Sequence, residues 1–265
     1  MNTFRYLLAA CAFASASIAT TLPALAADTS VLRFGLEAQY PPFESKGANG
    51  ELQGFDIDVG NAVCATSHLT CKWVETSFDG LIPALQGRKF DAINSAMNAT
   101  EQRRQAIDFT RVIYRVPTQL IARSNSGLLP TAESLKGKRV GVLQASIQET
   151  FAKAHWENAG VSVVPYQDQN QVYADLVAGR LDATLLLAPA GQTGFLARSD
   201  SKGFGFVGEP VRDDRILGSG IAFGVRKGDT ALRERLDAAI AKIQTDGTVK
   251  TLAQKYFGNI DVSAK

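Results

Sequence analysis

The chain has 265 residues, of which 28 are Lys or Arg and 26 are Asp or Glu, so its formal net charge is +2. A charge this close to zero, without a long basic run, gives no indication of nucleic-acid binding. Beyond residue 26, no apolar run approaches the roughly 20 residues needed to cross a bilayer, so we expect no direct membrane insertion of the mature protein.

The first 26 residues have the pattern of a cleaved secretory signal peptide. Arg5 is followed by a largely apolar, uncharged stretch that ends in Ala24-Leu25-Ala26, a small-x-small cleavage site. We expect cleavage after Ala26. The rival interpretation is lipidation, because residues 8–11 end in Cys11 and resemble a lipobox. The apolar segment before Cys11 has only about five residues, fewer than the roughly 7–15 of a signal-peptide core.

The first half of the mature chain alternates between strand and helix patterns. In chain order, the sequence predicts a strand at 31–37, a helix within 50–68, a short helix that ends at Gly87, a strand at 91–97, and a helix at 100–107 with Thr100 as its N-cap. This alternation is typical of βαβ units and predicts a largely parallel sheet.

The same alternation restarts in the second half. In chain order, it predicts a strand at 135–144, a helix at 146–160, a strand at 161–166, a helix at 170–180, a strand at 181–187, a strand near 220–227, and two final helices at 229–247 and 248–258. The helix at 146–160 begins with a capping box, Ser146 and Glu149, and Gly160 is suited to follow its last turn.

The restart predicts an α/β protein with two lobes. We expect lobe 1 at 27–115, with 219–265 returning to it, and lobe 2 at 116–218. The two crossings between the lobes, near 114–125 and 212–227, form a hinge. Ligands of open α/β sheets bind beyond the carboxyl ends of strands, so the expected cleft lies where the strands of both lobes end.

Two cysteines remain after the signal peptide, Cys64 and Cys71. Export leads to an oxidising compartment, where such a pair usually forms a disulfide. Two buried free thiols are the alternative. His68 lies between them, but two Cys and one His are too few for a closed zinc site, so no metal is predicted.

Several motifs resemble one family, the periplasmic polar amino acid-binding proteins of ABC importers (solute-binding protein family 3). They are GFDIDVGNAVC, FDGLIPALQGRKFDAI, SLKGKRVGVLQ, AGRLDA and DGTVKTLAQKYFG, and the resemblance runs from about residue 31 to 258. Within this family, the chain resembles the lysine/arginine/ornithine- and histidine-binding group.

The resemblance implies a two-lobed type II binding protein, each lobe a mixed, mostly parallel sheet flanked by helices, with a two-strand hinge. It further implies a periplasmic monomer without a cofactor. Such a protein closes over one amino acid and delivers it to a membrane permease.

The resemblance also implies where the ligand binds. Tyr40 and Phe78 match the aromatic residues that hold the ligand side chain, where a guanidinium or methylene stem suits flat rings. Glu37 matches an acid that meets the distal cation of the ligand. Arg103 matches the arginine that binds the ligand α-carboxylate in a bidentate manner, through two parallel charge-assisted hydrogen bonds.

Across the cleft, the expected contacts come from the strand end at Leu143 and from the helix start at Ser146, Ile147 and Gln148. Backbone N–H groups at a helix start favour anions such as the same carboxylate. Ser146 has a second interpretation, in which it only caps its helix.

Other predicted contacts depart from the family pattern. Leu187 stands where the family has an Asp that pairs with the ligand α-ammonium. Ala96 and Asn98 replace serines beside Ser95 that bind the same end. A buried ammonium without a carboxylate costs several kcal/mol. The alternative ligand is therefore an opine or another N-substituted amino acid, because opine-binding relatives also have Glu at the position of Glu37 and lack the Asp.

Two other functional classes remain open. Periplasmic cyclohexadienyl dehydratases share the fold, but they need a general acid at the leaving group, and Glu37 is the one pocket acid that the sequence places. His68 and His155 fall in helical segments outside the expected cleft, so we predict that the protein is not an enzyme. A sensor for a separate membrane receptor is the other alternative.

Overall fold

The computed structural model describes residues 31–258 and Val262. The predicted signal peptide at 1–26 lies outside the described residues. The strands are β1 (Val31–Leu36), β2 (Gln39–Tyr40), β3 (Glu44–Lys46), β4 (Leu52–Gln53), β5 (Thr70–Glu75), β6 (Ala92–Ile93), β7 (Ile107–Phe109), β8 (Thr118–Arg123), β9 (Arg139–Leu143), β10 (Ser162–Tyr166), β11 (Ala183–Leu187), β12 (Phe204–Val211) and β13 (Gly224–Arg226).

Helices alternate with these strands along the chain. They are α1 (Phe55–Thr66), α2 (Leu81–Gln86), α3 (Glu101–Arg104), α4 (Ile147–His155), α5 (Gln169–Val177), α6 (Ala188–Ala190), α7 (Asp214–Leu217), α8 (Thr230–Thr245) and α9 (Thr248–Phe257). Within the described ranges, no helix is long and apolar enough to cross a membrane.

Two five-stranded sheets have the same topology. The first has the strand order β5-β1-β6-β13-β7, and the second has the order β10-β9-β11-β8-β12. In each sheet the fourth strand, β13 or β8, runs antiparallel to both of its neighbours, and the other pairings are parallel. Each sheet is therefore mixed and mostly parallel, as predicted, and the reversed strand is the one that follows a crossing between the sheets.

The two crossings pair with each other. Tyr114, between β7 and β8, forms an isolated antiparallel bridge with Ile221, between β12 and β13. The N–H of Ile221 donates to the Tyr114 carbonyl at 2.9 Å, and the N–H of Ile113 donates to the Ile221 carbonyl at 2.8 Å. Because both crossings are extended and share these bonds, they form a two-stranded connection between the sheets.

The C-terminal helices α8 and α9 pack on α1, beside the first sheet. Leu236 and Ile240 of α8 and Phe257 of α9 join the same buried apolar cluster as Phe55 and Val63 of α1. The chain that returns from the second sheet therefore completes the core of the first. Burial of each such side chain stabilises the fold by about 1.5–3 kcal/mol.

A disulfide joins Cys64 and Cys71, as predicted, with 5.8 Å between their Cα atoms. Cys64 lies in the last turns of α1, and Cys71 lies in β5. The bond therefore connects the end of the helix to the strand that follows it.

The structure differs from the predicted elements at several places, and its strands β5 and β12 were not predicted at all. The strand predicted at 91–97 ends at Ile93, because Ala96 adopts a left-handed backbone conformation with φ of 42°. The helix predicted at 100–107 ends at Arg104, because Ile107–Phe109 pairs as β7 with β13. In the predicted capping box, the Glu149 carboxylate would accept from the N–H of the cap residue Ser146. In the structure it accepts from the N–H of the preceding residue, Ala145, at 2.6 Å.

Candidate ligand-binding site

Ten of the twelve predicted ligand contacts line one small cavity between the two sheets, of about 20 Å³. The first-sheet side of this inner cavity contributes Tyr40, Phe78, Ala96, Asn98 and Arg103. The second-sheet side contributes Leu143, Ser146, Ile147, Gln148 and Leu187. The remaining two, Glu37 and Ser95, lie beside it and are described below. The strand ends of both sheets therefore meet where the sequence places the cleft.

Arg103 lies in α3, a helix of a single turn that Thr100 caps. The Thr100 hydroxyl accepts from the Arg103 N–H at 3.2 Å. The guanidinium donates to the carbonyl of Asn98 at 2.9 Å and, across the cleft, to the carbonyl of Ala145 at 2.9 Å. It also lies over the Phe78 ring, 5.4 Å from the ring centroid. These contacts fix the plane of the guanidinium at the cavity wall.

The charge of Arg103 is not neutralised by a carboxylate of the described residues. Desolvation of the guanidinium lowers the pKa of Arg103 to about 10. A half-buried cation that meets only neutral carbonyl oxygens is costly, and an anion in the cavity offsets that cost. Arg103 is therefore suited to a carboxylate.

The first turn of α4 borders the cavity from the second-sheet side. The Ser146 hydroxyl accepts from the Glu149 N–H at 3.1 Å, so Ser146 caps the helix as predicted. Ile147 and Gln148 are buried, and the Gln148 amide donates to the Thr118 hydroxyl at 3.0 Å. The helix start and Arg103 together direct positive potential at one end of the cavity.

Leu187 and Tyr40 connect the two sides of the cavity. The Leu187 N–H donates to the Tyr40 hydroxyl at 3.1 Å, and both side chains are buried. The Asn98 amide donates to the carbonyl of Leu217 at 3.1 Å. None of the residues that line the inner cavity is acidic. An α-ammonium in this cavity would therefore meet amide and backbone carbonyl oxygens.

Glu37 lies next to the inner cavity, at the wall of a wider cleft of about 570 Å³ that both sheets border. Its side chain is only 4% exposed, and its Oε2 has no hydrogen-bond donor among the described residues. Burial, together with the negative charges of Asp168 and Asp79, raises the pKa of Glu37 to about 8. A cation beside Glu37 would satisfy this oxygen and favour the ionised form.

Ser95 is buried beneath the cleft, where it connects Glu37 to a second acid. Its hydroxyl accepts from the Glu37 N–H at 3.0 Å and donates to Glu44 Oε1 at 2.8 Å. Glu44 in turn contacts Asp56, and both are 1% exposed. Sequence reasoning missed these two acids. No local pattern distinguishes them, because Phe78-Asp79 and Phe90-Asp91 have the same phenylalanine-acid sequence as Phe43-Glu44 and Phe55-Asp56.

The two histidines do not line either cavity. His155 binds the Asp213 carboxylate at 2.8 Å on the surface. Among residues 31–258, no group of three or more His, Cys, Asp or Glu side chains is placed to hold a metal ion. The chemistry of the site is therefore that of charged groups, hydrogen bonds and aromatic walls.

Comparison with known proteins finds relatives that are solute- or amino acid-binding proteins. Residues 32–259 match the bacterial extracellular solute-binding proteins, family 3. The chain is 45% identical to the histidine-binding periplasmic protein of Escherichia coli, over 93% of each chain. It is 43% identical to the lysine/arginine/ornithine-binding periplasmic protein of the same organism, over 91% of this chain and 92% of that protein. A solved ancestral arginine-binding protein bound to arginine superposes with a TM-score of 0.80 at 32% identity, over 86% of this chain and 99% of that one.

Proposed function

This chain belongs to the bacterial extracellular solute-binding proteins, family 3, and we propose that it is the periplasmic amino acid-binding component of an ABC importer. Its ligand is a cationic amino acid of the arginine, lysine, ornithine and histidine class. It delivers this ligand to the membrane permease. The observation that carries the proposal is the desolvated Arg103 guanidinium, which lines the cavity without a carboxylate partner from the described residues.

In this proposal the ligand α-carboxylate binds Arg103 and the start of α4. A planar guanidinium gives a carboxylate two parallel hydrogen bonds, and the backbone N–H groups of Ile147 and Gln148 add the positive end of the helix. The carbonyl of Ala145 already accepts from Arg103 across the cleft. The carboxylate would therefore be held from both sides at once.

The side chain of the ligand lies between Tyr40 and Phe78 and ends at Glu37. Aromatic rings attract a guanidinium or ammonium and pack against the methylene stem. The unpartnered Oε2 of Glu37, with Asp79 and Asp168 nearby, supports a cationic distal group over a neutral or anionic one. The charge at each end of the site thus matches one end of a basic amino acid.

Ligand binding drives closure of the two halves. Contacts made to both halves at once stabilise the closed form, whereas contacts to one half do not change the equilibrium. Arg103 and Glu37 lie on one half, and the start of α4 lies on the other. The paired crossings at Tyr114 and Ile221 are the expected hinge.

One observation favours a second candidate ligand, an opine or another N-substituted amino acid. The buried Leu187 and the small Ala96 line the cavity, and no acid does. A secondary ammonium has one N–H donor fewer to satisfy than a primary ammonium, and its substituent needs space that Ala96 and Leu187 border. Leu187 then contacts that arm.

The same geometry does not favour an enzyme. The relatives named above are binding proteins, and a dehydratase needs an acid placed at the leaving group. Glu37 borders the outer cleft, where its assigned role is to pair with a cation. We expect pure protein to leave prephenate and arogenate unchanged, and turnover of either compound would overturn this part of the proposal.

The test is a thermal-shift and calorimetry panel on refolded, ligand-stripped protein. It includes arginine, lysine, ornithine, histidine, glutamine, glutamate, octopine and nopaline. A ligand at 100 times its Kd stabilises the fold by about 2.7 kcal/mol. The matched variants are Arg103→Met and Arg104→Met, because Arg104 lies over Phe109 and outside the cavity. Binding by neither class of compound, or equal binding by both variants, would contradict the proposal.

A further inference from the structure

Two buried acids lie directly behind the ligand site. Glu44 comes from β3, and Asp56 comes from the first turn of α1; each is 1% exposed. Their side chains lie close enough to interact with each other. Neither forms an ion pair with a Lys or Arg of the described residues. Two adjacent buried carboxylates without a cation do not both ionise at neutral pH.

The hydrogen bonds identify which acid holds the proton. Both carboxylate oxygens of Asp56 accept, one from the Tyr114 hydroxyl at 2.7 Å and one from the Ala96 N–H at 2.6 Å. In Glu44, Oε1 accepts from the Ser95 hydroxyl at 2.8 Å, whereas Oε2 is buried and no donor reaches it. A proton on Oε2, donated to Asp56, satisfies both side chains. Asp56 is therefore the ionised member and Glu44 the protonated one.

Burial supports this assignment. It raises the pKa of both Asp56 and Glu44 above their ordinary values. The hydrogen bonds from Tyr114 and Ala96 oppose the rise at Asp56, and the charge of Asp56 adds to the rise at Glu44. At neutral pH the pair thus holds one proton and one negative charge.

The pair is bonded to the segment that forms the ligand site. Ala96 has a φ of 42°, a conformation that costs a non-glycine residue about 1–2 kcal/mol. Its N–H is held by Asp56, and the adjacent Ser95 is held by Glu44. Ser95 also accepts from the Glu37 N–H at 3.0 Å. The strained turn at Ala96 and the backbone of Glu37 are therefore both connected to Glu44 and Asp56.

We propose that Glu44 and Asp56 are a positioning pair that shares one proton and holds Glu37 and residues 95–98 in the shape that receives the ligand. Neither acid contacts the cavity. The inference rests on the proposed function of the cleft, but the shared proton and the held turn are properties of the ligand-free protein.

The test compares a Glu44 variant that keeps the hydrogen bonds of the protonated carboxyl group with one that removes them. In Glu44→Gln, the amide donates to Asp56 and its oxygen accepts from Ser95, as the protonated carboxyl does. Glu44→Leu fills similar space but has neither group. Asp58→Asn is the matched control, since Asp58 lies in the same helix and binds Lys255 and Tyr256 at the surface.

The first readout needs no ligand. At pH 7, the infrared difference spectrum of wild type minus Glu44→Gln should contain the carbonyl band of a protonated carboxyl group. The Ala96 amide resonance should keep its position in Glu44→Gln and Asp58→Asn and move in Glu44→Leu. Absence of the carboxyl band, or an unmoved Ala96 resonance in Glu44→Leu, overturns the inference even if Glu44→Leu is less stable.

The second readout is the Kd for arginine. We expect Glu44→Gln to stay within about threefold of wild type and Glu44→Leu to bind about tenfold or more weakly, the effect of losing one to two buried hydrogen bonds. Equal weakening in both variants overturns the shared-proton assignment. If wild type binds no cationic amino acid, the proposed function fails, and the infrared and resonance results still decide the inference.

Discussion

Binding of a cationic ligand should release a proton from Glu37. In the free protein, burial and the charges of Asp168 and Asp79 raise the pKa of Glu37 to about 8. A guanidinium or ammonium beside the carboxylate stabilises its ionised form and lowers that pKa in the complex. The free protein therefore binds more protons than the complex at pH 7, and the affinity rises with pH.

The magnitude follows from the fraction of Glu37 that is ionised in the free protein. With a pKa of about 8, that fraction is about 3% at pH 6.5 and about 75% at pH 8.5. If the pKa in the complex is about 5 or lower, arginine should bind about 25-fold more tightly at pH 8.5 than at pH 6.5, or about 1.9 kcal/mol. About 0.9 proton should be released per ligand at pH 7.

Isothermal titration calorimetry in two buffers of different ionisation enthalpy counts the released protons directly. Glu37→Gln is the variant of choice, because the amide keeps the shape but does not titrate. It should bind arginine more weakly than wild type at pH 8.5 and with little pH dependence. A wild-type affinity that is flat from pH 6.5 to 8.5, or the same proton release from Glu37→Gln, would refute this reasoning.

Three further predictions test other parts of the site. Arg103→Met should weaken arginine binding about 100-fold or more. The free energy of unfolding of the ligand-free protein, measured by thermal denaturation, should change by less than about 1 kcal/mol, because the lost cation has no acidic partner. Leu187→Asp should tighten binding of free arginine about tenfold or more and lower the melting temperature of the ligand-free protein, whereas Leu187→Asn changes both less; weaker arginine binding in Leu187→Asp would contradict a missing ammonium partner. Reduction of Cys64–Cys71 should lower the free energy of unfolding by about 2.5 kcal/mol and leave the ligand preference unchanged; a shifted preference in the calorimetry panel would contradict the remote position of the bond.

The alternation of elements was predictable because apolar periodicity and caps are local signals. Ser146, Thr100 and the strand before Glu37 needed no knowledge of the rest of the chain. The short strand at Ile107–Phe109 was not predictable in this way. Its residues continue a helical pattern after Arg104, and only pairing with β13, more than a hundred residues later, makes them extended.

The turn at Ala96 was missed for a different reason. Alanine has no preference for positive φ, so nothing in residues 91–97 signals a break in the strand. The break depends on Asp56, whose carboxylate accepts from the Ala96 N–H. Asp56 itself resembles an ordinary acid in the first turn of a helix, where acids are common. Its burial becomes visible only when α1 packs against the turn.

The charges of the proposed site predict the orientation in which a ligand binds. A positive end, Arg103 and the start of α4, faces the inner cavity, and a negative end, Glu37, faces the outer cleft. A basic amino acid satisfies both ends only with its α-carboxylate inward and its side chain outward. Glutamate would place a second carboxylate beside Glu37, and the like charges would disfavour it. Glu37 repels glutamate only when it is ionised. The preference for basic ligands over glutamate should therefore grow as the pH rises toward the pKa of Glu37 and weaken at lower pH. Orientation and selectivity against acidic ligands therefore depend on the same buried carboxylate.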